Sequence, residues 1–165
     1  FDNDDRYIAV FSTGVFRLYQ DEEEVMVIES SQTSLRDMVI NVEQNMAVLM
    51  APKRLEVFEL TTGKLLWEYK IIESSKWLAS LDITDDGRFI ACGLDISGGN
   101  EAPKDRRHVE GYLLLFPSAG KTMIRHRETY DIWGIGLPRG VFVSSGSIIL
   151  QTREKLEKFK ITAGG

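Results

Sequence analysis

Short apolar runs recur along this sequence at nearly constant spacing, and no other feature limits the folds open to it as strongly. The clearest unit spans residues 35–72 and contains four such runs, over residues 38–42, 46–50, 55–60 and 64–71. Runs of this length that are rich in β-branched and aromatic side chains and bounded by turn residues are typical of β-strands. Since only tight links separate the runs, the unit is predicted to be a four-stranded antiparallel meander.

Other segments of the chain repeat parts of this unit. Residues 3–9 (NDDRYIA) parallel residues 85–91 (DDGRFIA), and residues 55–63 (LEVFELTTG) parallel residues 156–164 (LEKFKITAG). The second strands of the units are expected to begin near residues 7, 46, 89 and 147. A period of roughly 40 residues with four strands in each unit is characteristic of the blades of a β-propeller. One such sheet cannot bury both of its faces alone, so neighbouring blades cover each other.

The sequence therefore predicts an all-β fold, a β-propeller made of four-stranded antiparallel blades, with about three and a half blades present. The predicted units are a partial blade over 1–31, a blade over 35–72, a blade over 76–128 with an insertion over 94–111, and a partial blade over 130–165. Propellers typically have four to eight blades. Because this count falls short of a ring and residue 1 is not Met, we expect a segment of a larger propeller.

Composition and charge narrow the possible partners. The chain has 25 Asp and Glu against 20 Lys and Arg, which gives a net charge of −5. Because nucleic-acid-binding proteins usually carry a basic excess, a nucleic-acid partner is not expected. No apolar run approaches the length of about 18 residues that a membrane helix needs, so no membrane span is predicted. The compartment stays open, with the cytoplasm preferred because the first residues do not look like a signal peptide.

The stretch LEVFELTTGKLLW resembles the repeat of quinoprotein-like (PQQ-like) propellers, in which an Ala-x-Asp-x-x-Thr-Gly-x-x-x-Trp pattern recurs. Thr62, Gly63 and Trp67 match this pattern, whereas Val57 and Glu59 stand where the family has Ala and Asp. The resemblance implies that these three matching residues have a structural role, in which the turn and the indole dock one blade onto its neighbour.

A second stretch, ITDDGRFIA, resembles a strand found in WD40, YVTN and TolB-type propellers. No Trp-Asp dipeptide closes a unit and no Gly-His dipeptide opens one, so ordinary WD40 repeats match the sequence poorly. The resemblance is thus to the wider superfamily of quinoprotein-like and WD40/YVTN-like propellers, and it implies the architecture more than any activity.

The sequence offers no constellation for catalysis. Quinoprotein enzymes resemble one another in a vicinal disulfide and a Ca²⁺ site beside the quinone, and the single cysteine, Cys92, excludes the first of these. The only histidines, His108 and His126, do not lie in a cluster with the spacing of zinc ligands. Asp105, His108 and Glu110 could converge on one loop, but a solvated loop is the preferred interpretation. We therefore predict no catalytic residue, no metal and no cofactor.

The insertion over 94–111 is the strongest candidate for a binding element. It carries a basic group, Lys104, Arg106, Arg107 and His108, on an otherwise acidic chain. Long loops are often functional or disordered, and arginine binds carboxylates through paired hydrogen bonds. In propellers, the connection between second and third strands lies on the same face as the link between blades. The group therefore suits a carboxylate, a phosphate or an acidic peptide, and it is predicted to contact a protein partner; a flexible loop without function is the alternative.

Trp77 and Trp133 lie in or just before the first strands of their units, and these strands are expected to start at the same face as the insertion. Aromatic residues are enriched at binding hot spots, so both are candidates for partner contact, although packing against the next blade is preferred. Two functions stay open: a non-catalytic scaffold for protein–protein interaction, or part of a quinoprotein-like enzyme or small-ligand sensor whose active residues lie elsewhere. Self-association or pairing with further blades is a third possibility.

Overall fold

The computed structural model describes residues 7–74, 76–84, 86–96, 108–119, 124–131, 140–144, 147–151 and 156–160. Within these ranges the protein consists of fourteen β-strands without a helix, as the all-β prediction requires. The second strands begin at residues 7, 46, 89 and 147, where the sequence places them. The strands are β1 (Tyr7–Ser12), β2 (Val15–Gln20), β3 (Glu23–Glu29), β4 (Asp37–Asn41), β5 (Met46–Ala51), β6 (Arg54–Glu59), β7 (Leu65–Lys70), β8 (Lys76–Ile83), β9 (Phe89–Ile96), β10 (His108–Pro117), β11 (Ile124–Asp131), β12 (Gly140–Ser144), β13 (Ser147–Gln151) and β14 (Leu156–Lys160).

The strands form four antiparallel sheets, and every hydrogen-bonded neighbour in a sheet is also a neighbour in sequence. The sheets are β1-β2-β3, β4-β5-β6-β7, β8-β9-β10-β11 and β12-β13-β14. They belong to two compact units, residues 1–70 with the first two sheets and residues 71–165 with the last two. Sheets of three or four strands in meander order are the blades that the sequence predicts.

The core of the first unit lies between its two sheets. Along β1, Ala9 and Phe11 pack against this core, whereas Ile8 and Val10 are exposed on the opposite face, as the two-residue period of a strand requires. Each fully buried Leu, Ile or Phe stabilises the fold by about 1.5–3 kcal/mol. The buried members of the core are Phe16, Leu18, Ile28, Ala47, Leu49, Phe58 and Leu60.

In the two sheets of the first unit, β1 pairs with β2 in the same register as β5 pairs with β6. We call this correspondence the shared register. The β1–β2 hairpin turns through two residues between the paired Ser12 and Val15, and the β5–β6 hairpin does the same between Ala51 and Arg54. Matching these pairs gives every residue of β1 and β2 a counterpart in β5 and β6. The two sheets are therefore copies of one structural repeat, although no counterpart pair in these strands has the same side chain.

A β-bulge at matching positions supports this equivalence. The pairing of β2 with β3 shifts between Leu18 and Tyr19, and the pairing of β6 with β7 shifts between Val57 and Phe58. In the shared register, Leu18 corresponds to Val57, and the aromatic Tyr19 corresponds to the aromatic Phe58. Bulges bend and twist a sheet locally, so both sheets are shaped in the same way at the same place.

The second unit contains the sheet β8–β11, with the strand β12 of the other sheet lying against β8 and β9. Strand β9 extends to Ile96 and β10 begins at His108, with Ile96 paired to Glu110. The connection outside these strands is therefore residues 97–107, which lies within the predicted insertion. Buried side chains of the described strands include Leu78, Ile90, Cys92, Leu114 and Phe116.

Candidate functional site

The link between the two sheets of the first unit lies against the β1–β2 turn. In the predicted blade this turn connects the second and third strands. The backbone N–H of Ser30, in the link after β3, donates to the carbonyl oxygen of Gly14 over 2.8 Å. Gly14 has a φ of +84°, and a Cβ atom there would lie 3.2 Å from the carbonyl oxygens of Ser30 and Gln32. We call this end of the sheets the linker face. The link and the turns between second and third strands meet there.

A buried carboxylate lies at the linker face. Glu56 of β6 is only 1% exposed, yet its oxygens accept hydrogen bonds from the hydroxyls of Ser30, over 2.5 Å, and of Ser31. Arg54 also donates to Ser31, and its Nη1 lies 3.4 Å from Oε1 of Glu56. Because a buried charge is costly without such partners, this group fastens the link to the second sheet.

The charges beside Glu56 are paired across β6 and β7. Nη2 of Arg54 lies 3.5 Å from Oε2 of Glu68, and Nζ of Lys70 lies 2.6 Å from Oε1 of the same residue. These cations are thus balanced by carboxylates of their own sheet. The arrangement is structural, since Arg54 and Lys70 each have a carboxylate partner in their own sheet.

Gln32, the next residue of the link, is 5% exposed, and its Nε2 donates to the carbonyl oxygen of Leu49 over 3.2 Å. Its Oε1 is buried without a hydrogen-bond partner among the described residues. An unsatisfied buried acceptor costs about 1–3 kcal/mol. Burying Gln32 against β5 therefore costs free energy for its unpaired Oε1, and the one hydrogen bond that Nε2 donates offsets this cost only in part.

The corresponding end of the sheet β8–β11 holds two of the predicted partner-binding residues. Trp77 is half-buried in β8 and pairs with Asp95, while Lys76 pairs with Ile96 at the end of β9. His108 begins β10 at this same end of the sheet. Residues 97–107 connect β9 to β10, whereas the β1–β2 and β5–β6 turns of the first unit have two residues each. Lys104, Arg106, Arg107 and Trp133 lie outside the described residues.

The Thr62-Gly63 turn lies at the opposite end of its sheet and touches the neighbouring sheet. Gly63 has a φ of +67°, and a Cβ atom there would lie 3.4 Å from the carbonyl oxygen of Val27 and 3.5 Å from Cγ1 of Ile28, both in β3. The hydroxyl of Thr62 donates to the carboxylate of Glu59 and accepts the N–H of Lys64 over 3.2 Å. Trp67 is 7% exposed and pairs with Val57.

Asn45 joins the two turns at this end of the second sheet, a role that the sequence analysis missed. Its Oδ1 accepts the N–H of Thr61 over 2.7 Å, and its Nδ2 donates to the Thr61 hydroxyl over 2.9 Å. It has a φ of 54°, in the left-handed region that Asn tolerates better than most residues. An Asn directly before a strand is the signal that could have identified it.

The turn from β8 to β9 is built around a carboxylate with a lowered pKa. Hydrogen bonding by Thr84, followed by the Arg88 backbone N–H 3.1 Å from Oδ1, lowers the pKa of Asp86 to about 2. Nε of Arg88 also lies 2.6 Å from Oδ2 of Asp86. These contacts close the turn on itself. They hold Thr84, Asp86 and Arg88 together before the start of β9.

Among the residues that the structure describes, no three His, Cys, Asp or Glu side chains lie together as a metal site would need. In the same part of the chain, no helix is long and apolar enough to cross a membrane.

The fold has a counterpart among solved structures. The crystal structure of the WD40 β-propeller domain of Doa1 is similar to this chain with a TM-score of 0.60 and 14% sequence identity, over 95% of this chain and 47% of that one. The fold is that of a WD40-like propeller. The chain spans about half the length of that domain, and at this identity the likeness shows the fold alone. Neither a family model nor a curated protein sequence matches the chain.

The WD40-like propeller forms here without the Trp-Asp and Gly-His dipeptides, whose absence made ordinary WD40 repeats a poor match in sequence. Its described sheets are held by apolar faces and by the turns and links between them, which other residues can supply. The quinoprotein-like part of the resemblance still rests on Thr62, Gly63 and Trp67 alone.

Proposed function

We propose that this WD40-like propeller segment is a non-catalytic scaffold that binds an acidic segment of a protein partner through one face. The observation that carries the proposal is the β9–β10 connection, which has eleven residues (97–107) where the β1–β2 and β5–β6 turns have two each. The equivalent β13–β14 connection has four residues (152–155), so a connection of eleven is not needed to build a blade. Loops that exceed structural need are often functional.

The chemistry of this connection defines the partner. Lys104, Arg106 and Arg107 lie within it and His108 follows directly, on a chain whose net charge is −5. An arginine forms two parallel hydrogen bonds with a carboxylate. A run of Asp or Glu side chains, held near this end of the sheet, is the ligand that best matches these cations.

The aromatic residues extend the proposed surface. Trp77 lies near the start of β8, at the sheet end where β9 leads into the β9–β10 connection. We propose that Trp133, in the residues before β12, contacts the same partner. Buried aromatic anchors beside charged groups are common in protein interfaces. For Thr62, Gly63 and Trp67 we propose a structural role in docking blades, supported by the contact of Gly63 with β3 and the burial of Trp67.

The test begins with a photo-crosslinker at position 105, which labels the protein that contacts the connection. The affinity of that protein is then measured for the original chain and for the double variant Arg106→Glu/Arg107→Glu. We expect at least a roughly tenfold loss of affinity, because charge-assisted hydrogen bonds become repulsions. Binding to the original chain should also weaken as salt rises.

The matched control is Lys64→Glu/Lys160→Glu, which changes the net charge equally. Lys64 lies in the β6–β7 turn, and Lys160 pairs with Ser147 at the β12–β13 turn, so both are at sheet ends away from the links. This control should bind as the original chain does. Equal losses of affinity in the two double variants would mean that only the net charge matters. Unchanged affinity in both would mean that the basic connection does not bind the partner.

A further inference from the structure

Within the first unit, one apolar sheet face is covered by none of the described residues. Its residues lie on the side of β1–β3 that faces away from the core, and several are large and half exposed: Ile8 is 50%, Val10 44%, Val25 49% and Val27 43% exposed. Arg17 and Tyr19 of β2 lie between them, since Arg17 pairs with Val10 and Val27, and Tyr19 with Ile8. We call this surface the outer face; it consists of Ile8, Val10, Arg17, Tyr19, Val25 and Val27.

The shared register of the two sheets shows what kind of surface the outer face is. The counterparts of Ile8 and Val10 in the second sheet are Ala47 and Leu49, and each of these is 0% exposed. The counterpart of Tyr19 is Phe58, which is 3% exposed. These counterparts belong to the core that packs against β1–β3. The outer face of β1–β3 therefore matches, position for position, the face of β4–β7 that packs against β1–β3.

We propose that the outer face is the docking site of a further four-stranded propeller blade, which covers β1–β3 as β1–β3 covers β4–β7. The argument is continuity with an existing interface: the same register presents apolar residues in both sheets, and in one of them another sheet buries these residues. This inference is independent of the β9–β10 connection, so either proposal can fail alone.

Arg17 specifies the chemistry of the docking blade. Its counterpart in the second sheet is Glu56, which accepts hydrogen bonds from hydroxyls of the link that leaves β3. Arg17 is a donor only, and its Nη1 lies 2.5 Å from Oε2 of Glu24 with the side chain 43% exposed. Glu24 occupies only part of the guanidinium, and we expect the link that leaves the docking blade to present acceptors to its other N–H groups. We expect a carboxylate in the link of the docking blade, at the position that Ser31 has in the link after β3, where it would pair with Arg17.

The test supplies such a blade within the chain. A copy of residues 35–84 is placed directly before Asn3, so that the added β8 segment lies in sequence before β1. The junction of Thr84 with Asn3 reproduces the natural step from Thr84 to Asp85, because residues 3–9 parallel residues 85–91. Urea unfolding is then compared between the original and the extended chain, each with and without Val10→Lys.

If the outer face receives a blade, Val10→Lys lowers the urea midpoint by about 1 M more in the extended chain than in the original. The control Val42→Lys, at a residue 37% exposed in the β4–β5 turn, has the same small effect in both chains. Equal effects of Val10→Lys in the two chains would overturn the proposal. So would an extended chain that unfolds at no higher urea concentration than the original.

The acceptor is tested in the added copy itself. In the shared register Ile72, which is 94% exposed, corresponds to Ser31. Ile72→Asp in the added copy should raise the urea midpoint of the extended chain, and Arg17→Leu should abolish that gain. A gain that survives Arg17→Leu would refute the role of Arg17. If the original chain sediments as a dimer that Val10→Lys dissociates, a second copy occupies the outer face and the further blade is excluded.

Discussion

At the scale of single residues, the carboxylate of Glu56 is the most demanding feature of the first unit. A carboxylate removed from water destabilises a protein unless donors replace the lost hydration. The hydroxyls of Ser30 and Ser31 and the guanidinium of Arg54 are those donors. Two of the three belong to the link between sheets, so Glu56 couples the position of the link to the second sheet.

We expect Glu56→Ala to lower the free energy of unfolding by about 2–4 kcal/mol, because its donors would lose their acceptor in a buried site. Equilibrium unfolding in urea measures this loss. Glu43→Ala, at an exposed turn residue, is the control and should change the stability by less than about 0.5 kcal/mol. Similar losses in both variants would mean that the buried network is not what stabilises this unit.

Asp86 should make stability depend on acid. Its pKa in the folded protein is about 2, below that of an unfolded aspartate at roughly 3.9. The unfolded chain therefore binds the proton more readily, and the contribution of Asp86 is fully present above pH ~4 and is lost as the pH falls towards 2. The stability difference between the original chain and Asp86→Asn should shrink over this range.

A titration followed by NMR checks the cause. The Thr84 hydrogen bond contributes most to the lowered pKa, so Thr84→Val should return the pKa of Asp86 towards its ordinary value. If the pKa of Asp86 is unperturbed in the original chain, the turn is not held as described.

At the scale of elements, the turns rather than the strands carry the strictest backbone requirements. Gly14 and Gly63 both have positive φ angles and both approach a neighbouring segment of the first unit. The approach is closer at Gly14, where two carbonyl oxygens would lie 3.2 Å from an added Cβ atom. At Gly63 the nearest atoms, at 3.4 and 3.5 Å, are at ordinary contact distance.

Gly14→Ala is therefore expected to destabilise the protein more than Gly63→Ala. Both variants carry the cost of a positive φ, about 1 kcal/mol or more, and only Gly14→Ala must also displace the backbone of the link. Thermal or urea unfolding of the two variants gives the comparison. An equal loss would mean that the link moves away from the turn without cost.

The strands could be predicted from sequence because their signals are local. Apolar runs and turn residues place the second strands at residues 7, 46, 89 and 147, where the structure has them. The burial of Glu56 could not be predicted, since a Glu between Leu55 and Val57 has the pattern of an outward-facing residue. Its hydroxyl donors, Ser30 and Ser31, lie some 25 positions earlier in the chain, and only the packing of one sheet on the next brings them to Glu56.

The candidate site was predictable in composition and, for Trp77, in its sheet end. The basic residues of the β9–β10 connection stand out in the sequence, and the register of β8, β9 and β10 puts Trp77 and His108 at the same sheet end. Register depends on pairing between strands, which one sequence specifies only through its side-chain pattern.

At the scale of the whole molecule, a repeat with little sequence identity gives one architecture. The chain shares 14% identity with the WD40 domain that it resembles in structure, and the two sheets of its first unit share a register although β1–β2 and β5–β6 have no matched residue in common. Apolar character at fixed positions is enough to stack sheets, while loops and links remain free to differ. Function can therefore change by altering one connection without rebuilding the blades.

The meander order of the sheets also affects how the chain reaches its native state. Since each strand pairs with a strand adjacent in sequence, most backbone pairing closes short loops, which costs little entropy and favours rapid formation. A polypeptide leaving the ribosome can complete each hairpin as soon as its second strand emerges. The slow steps of assembly are then the stacking of finished sheets, during which uncovered apolar faces are most exposed to aggregation.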